Sequence, residues 1–173
     1  VRAWIAGNKR LVGLLVLLAL VVTAKIVQVV MSPAPHHTHT PSEVTQLHQI
    51  ELHRFGNEGS ATPQEIVAKP YVLLEFFSLS CRYCQKSIPT LNRLNRHPKL
   101  SVIGYAQANP KPVLEYAKAK GVAYTLCQTS LHYFELFNPV RVPVSYLVDT
   151  KSLAVKARFM GEVDYDEVVS YLK

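Results

Sequence analysis

The order of apolar and polar positions divides the chain into two unlike parts. Leu11 to Met31 reads LVGLLVLLALVVTAKIVQVVM, uncharged as far as Ala24 and apolar again after the single Lys25. Its 21 residues are about the length that crosses the ~30 Å hydrocarbon core of a bilayer. Lys25 lies near the far end, where its long stem reaches toward the headgroups. The next stretch, Ser32 to Thr40 (SPAPHHTHT), has nothing to bury and reads as a tether.

Beyond the tether the pattern is that of a folded domain, expected from Pro41 to Lys173. Thr40-Pro41-Ser42-Glu43 and Thr62-Pro63-Gln64-Glu65 both have the form of a capping box with proline at the first helical position. Between them, Gln46 to Phe55 has mixed periodicity that favours neither helix nor strand. From Tyr71 the run YVLLEFFSL is continuously apolar and of strand length, consistent with a strand covered on both faces. Cys84, Ile88, Leu91 and Leu94 follow at helical spacing and stop before Pro98, so a helix opens at the cysteines. Leu100 to Ala106 predicts a second strand. Asn109-Pro110 and Gly121 bound a helix, and Val122 to Cys127 predicts a third strand. Thr129 to Phe137 reads as a short helix with Leu131, Phe134 and Phe137 on one face. Arg141-Val142-Pro143 leads into the strand VSYLVD, which a turn at Asp149 to Ser152 joins to an antiparallel partner, Ala154 to Met160. Asp164-Tyr165-Asp166-Glu167 opens a last helix with acids at the positive end of its dipole.

At 173 residues and 49% hydrophobic content, the chain has room for one domain with a real core plus an appendage. The formal charge of +7 suggests nucleic acid only until it is located. Arg2, Lys9, Arg10 and Lys25 lie in or beside the apolar segment, and from Ser32 onward 15 basic residues face 12 acidic ones. No arginine-rich run or aromatic-basic interleaving remains, so no nucleic-acid partner is expected. The basic residues flanking the segment on its N-terminal side predict a cytoplasmic N-terminus (residues 1–10) and an exported domain. An uncleaved anchor over residues 11–31 is the expected form. The alternative is a signal peptide cleaved after Ala24, which exports the domain equally.

An exported domain permits disulfides, and Cys81 with Cys84 forms the only closely spaced cysteine pair, leaving Cys127 over. A C-x-x-C at a helix N-terminus presents its first thiol to unpaired backbone N–H groups while the second is carried one turn inward. The dipole, and Arg82 beside it, are expected to hold the Cys81 pKa below the ~8.5 of free cysteine. Eight basic residues against one acid between Cys81 and Lys120 add to the same effect. Cys81 is then the attacking nucleophile and Cys84 the resolving thiol. A structural disulfide and half of a zinc site are the competing readings. The second lacks ligands, since zinc takes about four and the domain has no further C-x-x-C or paired-histidine motif. Glu75 is a lone carboxylate inside an apolar strand, and burial raises its pKa and makes it a proton carrier unless the strand is an exposed edge. Cys127 is expected to be an inert buried thiol. His36, His37 and His39 read as part of a solvated tether, with loose copper or zinc binding as the alternative.

These residues resemble the thioredoxin superfamily over nearly all of Tyr71 to Lys173. The resemblance implies an α/β thioredoxin-like fold, a central mixed sheet flanked by helices, here preceded by one N-terminal transmembrane helix. It further implies that Glu75, six residues before Cys81, is the buried acid serving the inner cysteine, and that Pro89 kinks the active-site helix. Val142-Pro143 stands where the family places a cis-proline that faces the disulfide and contacts the client. Glu75-Phe76-Phe77-Ser78 and the valine before Pro143 look like the DsbA oxidases. The 62-residue spacing from Cys81 to Pro143 looks like the membrane-tethered TlpA, ResA and cytochrome c maturation proteins, because the DsbA type inserts a large helical domain there. That second likeness implies a single-pass protein of the bacterial inner membrane with its domain in the periplasm. It also implies protein clients bearing cysteines, a membrane electron-transfer partner, no cofactor beyond the Cys81–Cys84 disulfide, and reduction as the direction. Ser80 replaces the aromatic that many thioredoxins carry, and Arg82-Tyr83 matches neither group's dipeptide, so a disulfide-donating oxidase stays open. A tethered copper chaperone of the same fold is the binding-class alternative. Such proteins space their cysteines one residue wider and add a histidine for which His132 is a poor substitute.

Overall fold

A seven-residue strand, β1 (Tyr71–Phe77), lies at the centre of the sheet because all of its side chains are apolar except Glu75 and all seven residues are buried. The structure, a computed structural model, describes residues 47–55, 62–137, 139 and 141–173. The expected N-terminal arm, the anchor over 11–31, the tether and the capping box at Thr40 lie outside the described residues. Among the described residues no helix is long and apolar enough to cross a membrane.

In chain order the elements are α1 (Pro63–Ala68), β1, α2 (Arg82–Asn95), β2 (Leu100–Ala106), α3 (Pro110–Lys120), β3 (Thr125–Gln128), α4 (Leu131–Phe137), β4 (Val144–Asp149), β5 (Val155–Met160) and α5 (Tyr165–Ser170). The five strands form one mixed sheet in the order β3-β2-β1-β4-β5. β1, β2 and β3 run parallel, as their helical crossovers require, while β4 and β5 are antiparallel additions. Because β1 is the middle strand, the edge-strand reading of Glu75 is excluded.

Side chains alternate across the sheet and build two cores. Leu73 and Phe77 pack with Cys84, Leu91 and Leu94 of α2 and with Val168 near the chain end. Val72, Leu74 and Phe76 pack on the opposite face with Ile66 of α1, with Tyr133 and Phe137 of α4, and with Leu47.

The local signals account for most boundaries. Thr62 and Glu65 complete the predicted capping box reciprocally, and Gly121 ends α3 in the left-handed conformation at φ 64°, which glycine adopts without a Cβ penalty. Four expectations are corrected. β1 stops at Phe77 rather than Leu79, because the Ser78 carbonyl accepts the Cys81 N–H at 3.1 Å and closes a turn. β3 begins at Thr125 rather than Val122, because the Val122 N–H still bonds back to Ala117 of α3 at 3.0 Å. The partner of β4 begins at Val155, one residue late, after the turn through Leu153 at φ 56°. In α4 the buried stripe is Tyr133 and Phe137, spaced i, i+4, whereas Leu131 is 70% exposed. Each step of three residues drifts about 60° around the helix, so Leu131 falls outside the side that buries Phe137. Leu47 to Phe55, undecided from periodicity, is irregular chain whose one bridge joins Arg54 to Cys127.

Candidate active site

The turn that ends β1 delivers Cys81 to the N-cap of α2 in extended conformation, φ −77° and ψ 110°. Its sulfur accepts the Cys84 N–H at 3.1 Å, filling the place where Ser, Thr or Asp usually caps a helix. A sulfur atom thus sits at the positive end of a 14-residue helix. Cys81 is partly exposed and Cys84 is buried, one turn inward. The two are joined as a disulfide with Cα atoms 5.3 Å apart. Pro89 lies inside α2 on its exposed side.

The Val142–Pro143 peptide bond is cis, and the Val142 carbonyl oxygen lies 3.6 Å from Cys81 Sγ. In the disulfide that sulfur carries no hydrogen, so this is a contact; in the dithiol form the Cys81 thiol has an acceptor there. A groove of about 570 Å³ runs along this side, lined by Tyr83, Arg141, Val142, Pro143, Met160 and Glu162. A second cavity, of about 430 Å³, opens on the other side of Val142 between Ser80, Phe76, Tyr105 and Phe134.

Glu75 shares the face of β1 that carries Leu73 and Phe77, so it lies on the same side of the sheet as Cys84. It is 1% exposed. Its neighbour in register on β4, Ser145, donates from Oγ to Oε2 of Glu75. Oε1 has no partner among the described residues. Burial pushes the carboxyl up to about 7, with the Ser145 bond pulling the other way. The neighbour on β2 is Gly104. A Cβ there would meet Leu126 Cδ2 at 2.7 Å, the Tyr124 ring at 3.0 Å and the Phe77 ring at 3.2 Å. The missing side chain lets those groups close over the strand beside Glu75 and keep water from it.

Arg82 and Tyr83 are exposed on the first turn of α2, Tyr83 at 60%. Lys86 Nζ stands 5.4 Å from the Tyr83 ring centre and 3.4 Å from Glu162 Oε1. Cys127, in contrast, is fully buried in the opposite core. Burial pushes its thiol up to about 12, which leaves it without thiolate character at neutral pH. Among the described residues no group of three or more His, Cys, Asp and Glu side chains is placed to hold a metal ion. The histidines of the tether lie outside the described residues.

The fold therefore gathers Cys81, Cys84, Arg82, Tyr83, Val142 and Pro143 at one end of the sheet, with Glu75 buried on the face that α2 covers. Sequence reading missed Ser145 and Gly104. The signal for Ser145 was a small hydroxyl among the mostly apolar residues of the strand VSYLVD, in register opposite the single carboxylate of β1.

No protein-family model matches the chain, and no curated protein matches it. Solved structures do. A thiol-disulfide isomerase from Corynebacterium glutamicum is similar at 17% identity and a TM-score of 0.58, over 72% of this chain and 92% of that one. A thiol:disulfide interchange protein of the thioredoxin family from Chlorobium tepidum TLS matches at 19% identity and 0.52, over 62% and 79%. MTB DsbF matches at 19% identity and 0.52, over 63% and 82%. At these identities the likeness establishes the thioredoxin-like fold.

Proposed function

We propose that this protein is a thiol-disulfide oxidoreductase that exchanges disulfides with cysteine-bearing protein clients through Cys81 and Cys84. The observation that carries the reading is the Cys81–Cys84 disulfide capping α2, with its outer sulfur partly exposed and its inner one covered, on the face of the sheet that buries Glu75. A structural staple has no use for that asymmetry or for a buried carboxyl whose pKa is pushed up by burial.

In the reduced protein the Cys81 thiolate, held by the Cys84 N–H and the helix dipole, attacks a client disulfide. The Cys81–client bond forms and the client sulfur leaves as thiolate. Cys84 then attacks Cys81 Sγ, which closes the internal disulfide and releases the second client thiol. Cys84 must lose its proton to attack in a covered site. Glu75, with its carboxyl near 7, takes that proton and returns it in the reverse direction. Val142 and Pro143 wall the groove that receives the client chain, and Arg82 and Tyr83 tune the stability of the Cys81 thiolate.

The proposed setting is the periplasmic side of a bacterial inner membrane. Its support is the apolar segment 11–31 with basic residues on its N-terminal side and the resemblance to tethered cytochrome c maturation proteins. The same resemblance supports reduction of clients, with electrons arriving from a membrane partner. Equilibrating the full chain with glutathione buffers and counting alkylated thiols by mass tests the direction. A Cys81–Cys84 potential near ~−270 mV is expected, and one near ~−120 mV would make the protein a disulfide donor.

A further inference from the structure

Exchange requires a client cysteine brought to Cys81, so the groups beside the disulfide are the ones that meet the sequence around that cysteine. The floor of the groove is apolar, formed by Tyr83, Val142, Pro143 and Met160. Among the described residues its single lining carboxylate, Glu162, is paired with Lys86 at 3.4 Å, so these two charges offset one another. Arg82 and Arg141 are exposed, and neither guanidinium has an acceptor among the described residues. Asp164, two residues beyond Glu162, caps α5 and accepts the Glu167 N–H at 2.8 Å. Two positive charges without an acceptor among the described residues therefore lie on the chain next to the reactive sulfur and next to the residue it touches. One adjoins Cys81 in sequence, and the other adjoins Val142, whose carbonyl oxygen is 3.6 Å from Sγ.

Resting on the exchange reading above, we propose that the protein selects clients carrying an aspartate or glutamate within about three residues of the reacting cysteine, with the carboxylate drawn to Arg141 and Arg82. Three residues is about the distance an extended chain needs to run from Cys81 past Val142 to Arg141. Arginine forks match a carboxylate in two bonds. Facing charges of this kind act chiefly on the rate of encounter and on rejection of the wrong partner.

The test uses the reduced full chain in neutral detergent and three peptides that differ only beside their cysteine, which is flanked by glutamate, glutamine or lysine. Each peptide cysteine is protected as a disulfide with 2-thiopyridine, an uncharged leaving group. Cys81 attacks the peptide sulfur, the bond to thiopyridine breaks, and 2-thiopyridone is released and read by absorbance. Cys84 then displaces the peptide thiol, so two electrons pass from the protein dithiol to the peptide disulfide. The expected result is a glutamate peptide reacting about tenfold faster than the lysine peptide at low salt. That ratio should fall as added salt shortens the Debye length below ~10 Å. Arg141→Glu is expected to abolish or invert the ratio, and Lys118→Glu, an exposed charge change on α3, to leave it standing. Equal rates for the three peptides in the unmodified protein overturn the proposal while leaving exchange intact. Equal loss of preference in both variants also overturns it, since overall basicity then explains the effect. If no peptide reacts, the exchange reading fails and this proposal with it.

Discussion

Cys81→Ser is expected to lower disulfide exchange to the uncatalysed background, a loss of at least about 1,000-fold, with the fold unchanged. A hydroxyl cannot form the mixed disulfide, so the route is removed rather than slowed. Neither remaining thiol can take its place. Cys84 is 3% exposed and lies one turn into α2. Cys127 is in the opposite core, with its thiol pushed up to about 12. Reduction of a protein disulfide substrate, followed with and without the substitution, checks this, and circular dichroism confirms the fold. Retained activity would mean that Cys84 or Cys127 attacks, which the burial of both forbids.

Glu75→Gln is expected to change both stability and rate, and the sign of each follows from one raised pKa. Glu75 keeps its proton in the folded protein up to about 7, while in the unfolded chain it loses it near the ordinary carboxylate value. Between those limits the folded state holds the extra proton, so stability falls as pH rises through the window. The loss is complete above the folded value and amounts to about 3 kcal/mol at 1.36 kcal/mol per pKa unit. Glutamine is neutral at every pH and removes this slope. The stability advantage of Glu75→Gln over the unmodified chain is therefore expected to grow by about that amount between pH 4.5 and pH 8. Denaturant unfolding of both proteins at several pH values measures it. The same substitution removes the proton carrier for Cys84, so exchange near pH 7 is expected to slow by at least about tenfold. Parallel stability curves together with equal rates from pH 6 to 9 would take Glu75 out of the mechanism.

Much of this site was legible in the chain because local rules govern it. The cysteines announce a helix start, the apolar run before them announces a buried strand, and the lone Glu75 within that run announces a perturbed carboxyl. The distances to Pro89 and Pro143 carried the resemblance to a thioredoxin-like active site. Partners distant in sequence were not legible. Lys69 donates from Nζ to the carbonyl oxygens of Asn95, His97 and Leu100 at 3.1, 3.3 and 2.9 Å. It thereby ties the end of α2 to the start of β2. Asn95 accepts the Val102 N–H at 2.9 Å and donates to Ala123 at 2.9 Å. A lysine or asparagine in such a role looks like any surface residue, because what fixes it is the register of three elements rather than its own surroundings. The pairing of Ser145 with Glu75 was hidden for the same reason, since it depends on which residue of β4 faces which residue of β1. The face of α4 was misread because apolar residues three apart imitate a stripe over only seven residues, too short a run for the drift to show.

The claim that Cys81 and Cys84 exchange disulfides with protein clients is tested most directly by trapping. With Cys84→Ala, Cys81 can still attack, and the protein thiol that would resolve the mixed disulfide forward is gone. Mixing the reduced variant, as the full chain, with a disulfide-bonded protein substrate is expected to convert most of it to a covalent adduct. Intact mass should equal the sum of the two proteins, and added reductant should reverse the adduct. A variant whose Cys81 is demonstrably reduced and alkylatable, yet which forms no adduct, would contradict the account.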